Sequence, residues 1–244
     1  MEFAIIISEK DPAGITIKEF LPKNLDVHLV EKESIYNENI DKKIKADFFI
    51  FATKHESKTK LPAFSVHCPG NWSKAEMGGK DNILNLSSSL LQFKALKYLN
   101  KNNPKYELIL EATHHGPFLE KPCFFIEIGS SLKEWQDKEA ASLISQTIVH
   151  VIKDKTENTK TAIGIGGLHH GPNFVKYSLR NNVAISHICP KYALQFLNKN
   201  MLQQAISKTL EKVNYVLLDW KGLGKEKDRI KELLKGIDLE IIKI

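Results

Sequence analysis

Two stretches of this chain repeat one tetrapeptide, His114-His115-Gly116-Pro117 and His169-His170-Gly171-Pro172, each behind a run of apolar residues. Imidazole changes charge near neutral pH, so it can act as general base, general acid or metal ligand without a large perturbation. Glycine and proline directly after a histidine pair impose a sharp turn, which presents imidazoles at a sheet edge rather than inside a helix. Carboxylates stand nearby: Glu111 lies three residues before His114, and Glu127 ends another apolar run just before Gly129 and Ser130. Histidine beside glutamate is suited to hydrolysis by activated water, either directly or with a zinc ion that lowers the pKa of bound water to about 7.

Other chemistries lack their signatures. The chain has no phosphate-cradling Gly-x-x-x-x-Gly-Lys motif, no His-Glu-x-x-His and no Gly-x-Ser-x-Gly elbow, and the glycines at 164, 166 and 167 lack dinucleotide-fingerprint spacing. Cys68, Cys123 and Cys189 are odd in number and widely separated, which suggests neither a disulfide framework nor a thiolate zinc knuckle.

The elements that must position these groups read as alternating strands and helices. Strand-sized runs fall at Glu2 to Ser8, Asp26 to Val30, Asp47 to Thr53, Ala63 to Cys68, Tyr106 to Thr113, Cys123 to Ile128, Thr161 to Gly166, Val183 to Ile188, Tyr215 to Asp219 and Asp238 to Lys243. Helical patterns cover Ser87 to Asn100, Ser131 to Lys153, Met201 to Val213 and Lys225 to Lys235. The alternation predicts an α/β fold with a mixed, largely parallel sheet flanked by helices. Residues 1–244 read as one domain, with the polar stretch Lys153 to Lys160 too short for a hinge. Five histidines, His55, His67, His114, His169 and His187, fall at or just past strand ends, where open α/β sheets form their ligand crevice. Ser131-x-x-Glu134 has the capping-box arrangement, so the spacing predicts a long capped helix whose N-terminus, next to Gly129 and Ser130, could receive an anion or a developing oxyanion.

Composition narrows the partners. With 35 Lys+Arg against 29 Asp+Glu the net charge is +6, carried almost wholly by lysine, which suits steering of a polyanion's phosphates more than reading of bases. No apolar run approaches the roughly 20 residues a membrane-spanning helix needs, and Met1 to Ser8 does not read as a signal peptide, so a cytoplasmic protein with no membrane role is expected.

Taken in combination, His67-Cys68-Pro69-Gly70-Asn71, Glu111 to Pro117, Ile126-Glu127-Ile128-Gly129-Ser130, Glu134-Trp135, Gly164 to His169, and His187 ahead of Pro190-Lys191-Tyr192 resemble the archaeal-type D-aminoacyl-tRNA deacylases, which also occur in plants. The resemblance spans most of the chain. It implies hydrolysis of the ester joining a D-amino acid to tRNA, with zinc as cofactor, in a fold similar to phosphorylases and peptidyl-tRNA hydrolases, by a monomer with no evident protein partner. Position by position it supports His67, Asn71, Glu111, His114, His115, Glu127, His169 and His187; joined to the strand-end reading, this gives the expectation of catalysis by Glu111, His114, His115 and Glu127, substrate contact by His67, Asn71, Gly129, Ser130 and Lys191, and metal ligation by His169, His187 and His114. Residue by residue it departs at His170, which stands where the family pattern has an aromatic residue. The readings set against it are a nucleoside phosphorylase or peptidyl-tRNA hydrolase relative and a non-catalytic tRNA- or zinc-binding module.

Overall fold

The computed structural model of the chain describes residues 1–57, 60–103, 105–155 and 159–244, so part of the polar stretch between Lys153 and Lys160 lies outside the described residues. Its strands are β1 (Phe3–Ser8), β2 (Val27–Val30), β3 (Phe48–Glu56), β4 (Ala63–His67), β5 (Glu107–Leu110), β6 (Cys123–Ser130), β7 (Lys160–Ile165), β8 (Val183–Cys189), β9 (Val213–Leu218) and β10 (Glu240–Lys243). Its α-helices are α1 (Pro12–Lys18), α2 (Ser89–Asn102), α3 (Leu132–Trp135), α4 (Lys138–Lys153), α5 (Pro172–Asn181), α6 (Lys199–Ser207) and α7 (Lys227–Leu233). The strands form two sheets, ordered β2-β1-β3-β6-β4-β5 and β10-β9-β7-β8. Every neighbouring pair is parallel except β4 with β6. The fold is thus mixed α/β, largely parallel and flanked by helices, with its strands divided between two sheets.

The larger sheet explains where the polar groups collect. Alternate residues of a strand face opposite sides, and on one side Ile5, Ile50, Ala52, Phe124, Ile126 and Val66 pack beneath α4 in a core that includes Ile144 and Ile148. On the other side Ile6, Phe49, Phe51 and Phe125 form a second apolar layer. Two residues further along the strands, this second side turns polar. Thr53 and Ser65 flank Glu127, paired with it across β3 and β4; His55 lies one step beyond Thr53, while His67, on the antiparallel β4, stands opposite Phe125.

The segment after β5 joins the two sheets. The Ala112 amide donates to the His169 carbonyl at 2.8 Å and the Thr113 amide to the Ile188 carbonyl at 3.0 Å. The strand expected over Tyr106 to Thr113 therefore ends at Leu110, because its last amides bond to the second sheet. The long helix expected over Ser131 to Lys153 is also two helices. Ser131 Oγ donates to the Glu134 carboxylate at 2.6 Å instead of capping an amide, and Asp137 then accepts from the amides of Glu139 and Ala140 to start α4. No long helix N-terminus stands next to Gly129 and Ser130, and the oxyanion site expected there is not formed. Among the described residues, no helix is long and apolar enough to cross a membrane.

Candidate active site

A cavity of about 470 Å³ opens over the polar ends of β3 and β6, lined by His55, Glu111, His114, His115, Glu127 and His169 among others. Its centre is Glu111. One carboxylate oxygen accepts from Ser65 Oγ at 2.5 Å and lies 3.4 Å from His67 Nδ1; the other faces His169 Nε2 at 3.0 Å and His55 Nδ1 at 3.3 Å. Burial alone would raise Glu111, yet His169 and His55 outweigh it and hold the carboxyl well below the usual carboxylate range. Glu111 is a fixed anion.

Glu127 is the more changeable carboxylate. It accepts from Thr53 Oγ1 at 2.9 Å, and its second oxygen lies 3.4 Å from His55 Nδ1. Burial, helped by the charge of Glu111 and opposed by His55, pushes it up to about 7. His55 stands between the two acids: burial works against its charge, but Glu111 and Glu127 prevail and raise it to about 10. Its Nδ1 faces both carboxylates, while its Nε2 is buried with no partner. Sequence reading placed His55 at a strand end but left it out of the site. The signal that finds it is the alternation of β3, which sets it on the same side as Thr53 and Glu127.

His67, His114 and His115 are held neutral. Burial, with the neighbouring histidines, lowers His67 and His115 well below the ordinary value, and burial brings His114 down to about 4. His115 Nδ1 faces the Gly116 carbonyl at 2.6 Å and His114 Nδ1 the Ala112 carbonyl at 2.8 Å. Each ring therefore carries its proton on Nδ1 and leaves Nε2 as a bare electron pair. His67 Nε2 sits 3.2 Å from His115 Nε2. A proton on His67 Nδ1 leaves two electron pairs opposed, and a proton on Nε2 turns a bare Nδ1 toward the Glu111 anion. A cation relieves either arrangement. Ligands of a tetrahedral zinc, each about 2.0–2.1 Å from the metal, stand about 3.3 Å apart; the His67–His115 pair has that spacing, and His114 offers a third nitrogen within 4.8 Å of them. A second set, Glu111, His114 and His169, shares His114.

Two glycines hold this arrangement together. A Cβ on Gly116 would sit 2.3 Å from the Gly79 amide nitrogen, so the first turn closes against the 78–79 loop only without a side chain. A Cβ on Gly129 would lie 2.6 Å from His55 Cδ2. Gly129 makes room for the His55 ring, which accounts for it better than the substrate contact expected from sequence.

Several other expectations are corrected by position. Asn71 Nδ2 donates to the Gly78 carbonyl at 2.9 Å and braces the loop behind the first turn. Ser130 Oγ donates to the Leu61 carbonyl at 2.8 Å, away from the cavity. His67 lies fully buried behind His114 and His115, where it meets no substrate directly. His187, expected as a metal ligand, projects from β8 under the turn, 3.1 Å from Cys68 Sγ and 3.3 Å from Thr113 Oγ1, and burial lowers it to about 3. Lys191 donates its amide to the Gly167 carbonyl at 2.9 Å and keeps its side chain outside the cavity lining. His169 and His170 do reach the cavity, and His170 packs edge-on to His55 with ring centroids 5.3 Å apart.

Imidazoles gathered around two buried glutamates at strand ends are groups suited to the hydrolase class. Within that class the chain belongs to the D-aminoacyl-tRNA deacylase family, whose model matches residues 42–242. It is 42% identical to the D-aminoacyl-tRNA deacylase of Pyrococcus furiosus over 87% of this chain and 81% of that one. It is 33% identical to that of Methanococcus maripaludis over 98% of each. A crystal structure of a conserved protein of unknown function superposes with a TM-score of 0.89 at 28% identity, covering 99% of this chain and 95% of that one.

Proposed function

We propose that this chain hydrolyses the ester of D-aminoacyl-tRNA, the activity for which its family is named, and that Glu127 and His55 carry the chemistry. The observation that carries this reading is the pairing of a carboxyl poised near 7 with a protonated imidazole whose Nε2 has no partner, both lining one cavity. Glu127 takes a proton from the attacking water as its oxygen bonds to the ester carbonyl carbon. The carbonyl oxygen becomes an oxyanion, and the positive charge of the His55 imidazolium beside Glu127 stabilises it. When the carbon–oxygen bond to the tRNA ribose breaks, Glu127 returns the proton to the departing ribose oxygen. A carboxyl near 7 suits both transfers. Glu111 keeps His55 charged and oriented, and holds His169 against the cavity wall.

Zinc belongs to the same proposal, held by His67, His114 and His115, where it would lower the pKa of a bound water. Residues from both sheets meet in the cavity, which supports treating 1–244 as one working unit. The cytoplasm, where tRNA is charged, is the compartment this reading implies.

The test is release of D-tyrosine from D-tyrosyl-tRNA, with L-tyrosyl-tRNA as control. Cleavage of the D ester alone is expected, whereas equal or absent activity on both would overturn the assignment. Loss of activity on chelation, restored by zinc, is the result that the metal part expects.

A further inference from the structure

A second cavity, of about 540 Å³, opens at the carboxyl ends of β9 and β10, the edge at which parallel sheets bind ligands. Two aromatic side chains stand in it, Tyr177 from α5 and Trp220 just past β9, together with Lys176, Lys221 and Lys243. Trp220 is unusually placed. Three ammonium groups surround its ring, with Lys243 Nζ 4.2 Å, Lys227 Nζ 5.0 Å and Lys231 Nζ 5.3 Å from the centroid. Lys227 and Lys231 stand one helical turn apart on α7, so both reach the same indole.

Cations gathered on one partly buried ring repel one another, and cation–π attraction near the protein surface offsets this only weakly. Acids do little to balance them. Asp219 is buried, its carboxylate taken by Asn173 Nδ2 at 2.9 Å and the Gly222 amide at 3.0 Å. Asp228 pairs with Lys231 at 3.3 Å, and Glu240 acts on Tyr177 only through its charge. Lysines interleaved with exposed aromatic faces are how single-stranded nucleic acid is held: ammonium groups track phosphates while bases stack on rings. The location fits as well. Asn173 lines this cavity and His169 lines the active-site cavity, with only the Gly171-Pro172 turn and His170 between them.

We propose that the Trp220 groove is the tRNA docking surface, holding a segment of the acceptor end by base stacking on Trp220 and phosphate contact with Lys227, Lys231 and Lys243. This rests on the tRNA-hydrolase reading for its occupant. It goes beyond that reading in naming where the nucleic acid lies.

Two measurements separate the claims. Uncharged tRNA is titrated against the wild type, Trp220→Ala and the triple variant Lys227→Gln/Lys231→Gln/Lys243→Gln over a series of salt concentrations. Deacylation is followed on D-tyrosyl-tRNA and on a minimal substrate, D-tyrosyl-adenosine. Docking here predicts about tenfold weaker tRNA binding for Trp220→Ala. For the triple variant it predicts a salt dependence shallower by about one unit of log Kd per log salt for each lysine removed. KM for D-tyrosyl-tRNA should rise by a similar factor, and kcat/KM on D-tyrosyl-adenosine, which never reaches the groove, should stay at the wild-type value and show that the variants fold. Unchanged tRNA affinity and salt slope in both variants would overturn the docking surface, even with deacylation intact. A wild type that cleaves neither ester would overturn the hydrolase reading, while the titration still decides the groove.

Discussion

The two His-His-Gly-Pro turns are alike in sequence and unlike in use. In the first, Gly116 closes against the 78–79 loop, both Nδ1 protons go to nearby backbone carbonyls, and two neutral rings pack on His67, that of His115 with its bare Nε2 toward it. In the second, Gly171 takes a left-handed conformation at φ 55° and caps α5, with Pro172 in its first turn. There the protein holds the imidazoles from outside: His169 is caught between Glu111 Oε1 and Tyr192 Oη, each at 3.0 Å, and keeps a third of its side chain exposed. Motif identity therefore says where a turn will be, and burial with hydrogen-bond partners decides what its histidines can do. The first turn lines one wall of the cavity in front of His67, and the second closes it from the other sheet.

Glu111 bonds His169 of the second turn and lies within 4.8 Å of His114 of the first, so its loss should have the largest effect. Glu111→Gln removes the anion that holds His55 charged and His169 in place, and kcat/KM on D-tyrosyl-tRNA should fall by about 10³-fold or more. A small loss would show that the turns do not depend on a shared carboxylate. Glu127→Gln sharpens the comparison at the first turn. Below about 7 the Glu127 carboxyl is protonated and cannot take the water's proton, so the wild-type rate should decline toward acid through that pH. The variant should lose about 10²-fold in rate together with that limb. A limb that persists in the variant would move the base elsewhere.

Smaller effects separate the glycines. A Cβ on Gly171 would sit 2.3 Å from the Leu110 carbonyl oxygen, as close as a Cβ on Gly116 comes to the Gly79 amide nitrogen. Gly116→Ala and Gly171→Ala should each cost about 1–3 kcal/mol in stability by denaturant midpoint, through overpacking. Their effects on activity should differ, with Gly116→Ala losing more kcat. Equal losses in kcat would make the turns equivalent.

Much of this was legible in the sequence. All ten expected strands are present, because period-2 alternation and apolar runs report directly on half-buried and buried strands. The helices α1 and α5 were not anticipated. Each is short and opens with proline, at Pro12 and Pro172, and in α5 the Gly171-Pro172 pair that reads as a turn in sequence also starts the helix. The division into two sheets was hidden too, since it depends on long-range bonds such as Thr113 to Ile188 that leave no local pattern. Within the site, Glu111, Glu127, His114, His115 and His169 were found from motif and strand-end position. His55 needed the register of β3 against β6 to place it beside Glu127, and His187 was misplaced because a strand end does not reveal which side of the turn its side chain packs on.

The unequal turns are tested most directly by measuring kcat/KM on D-tyrosyl-tRNA for His115→Ala and His170→Ala side by side. His115→Ala should lose about 10³-fold or more and His170→Ala less than about tenfold. Comparable losses in the two variants would contradict that inequality.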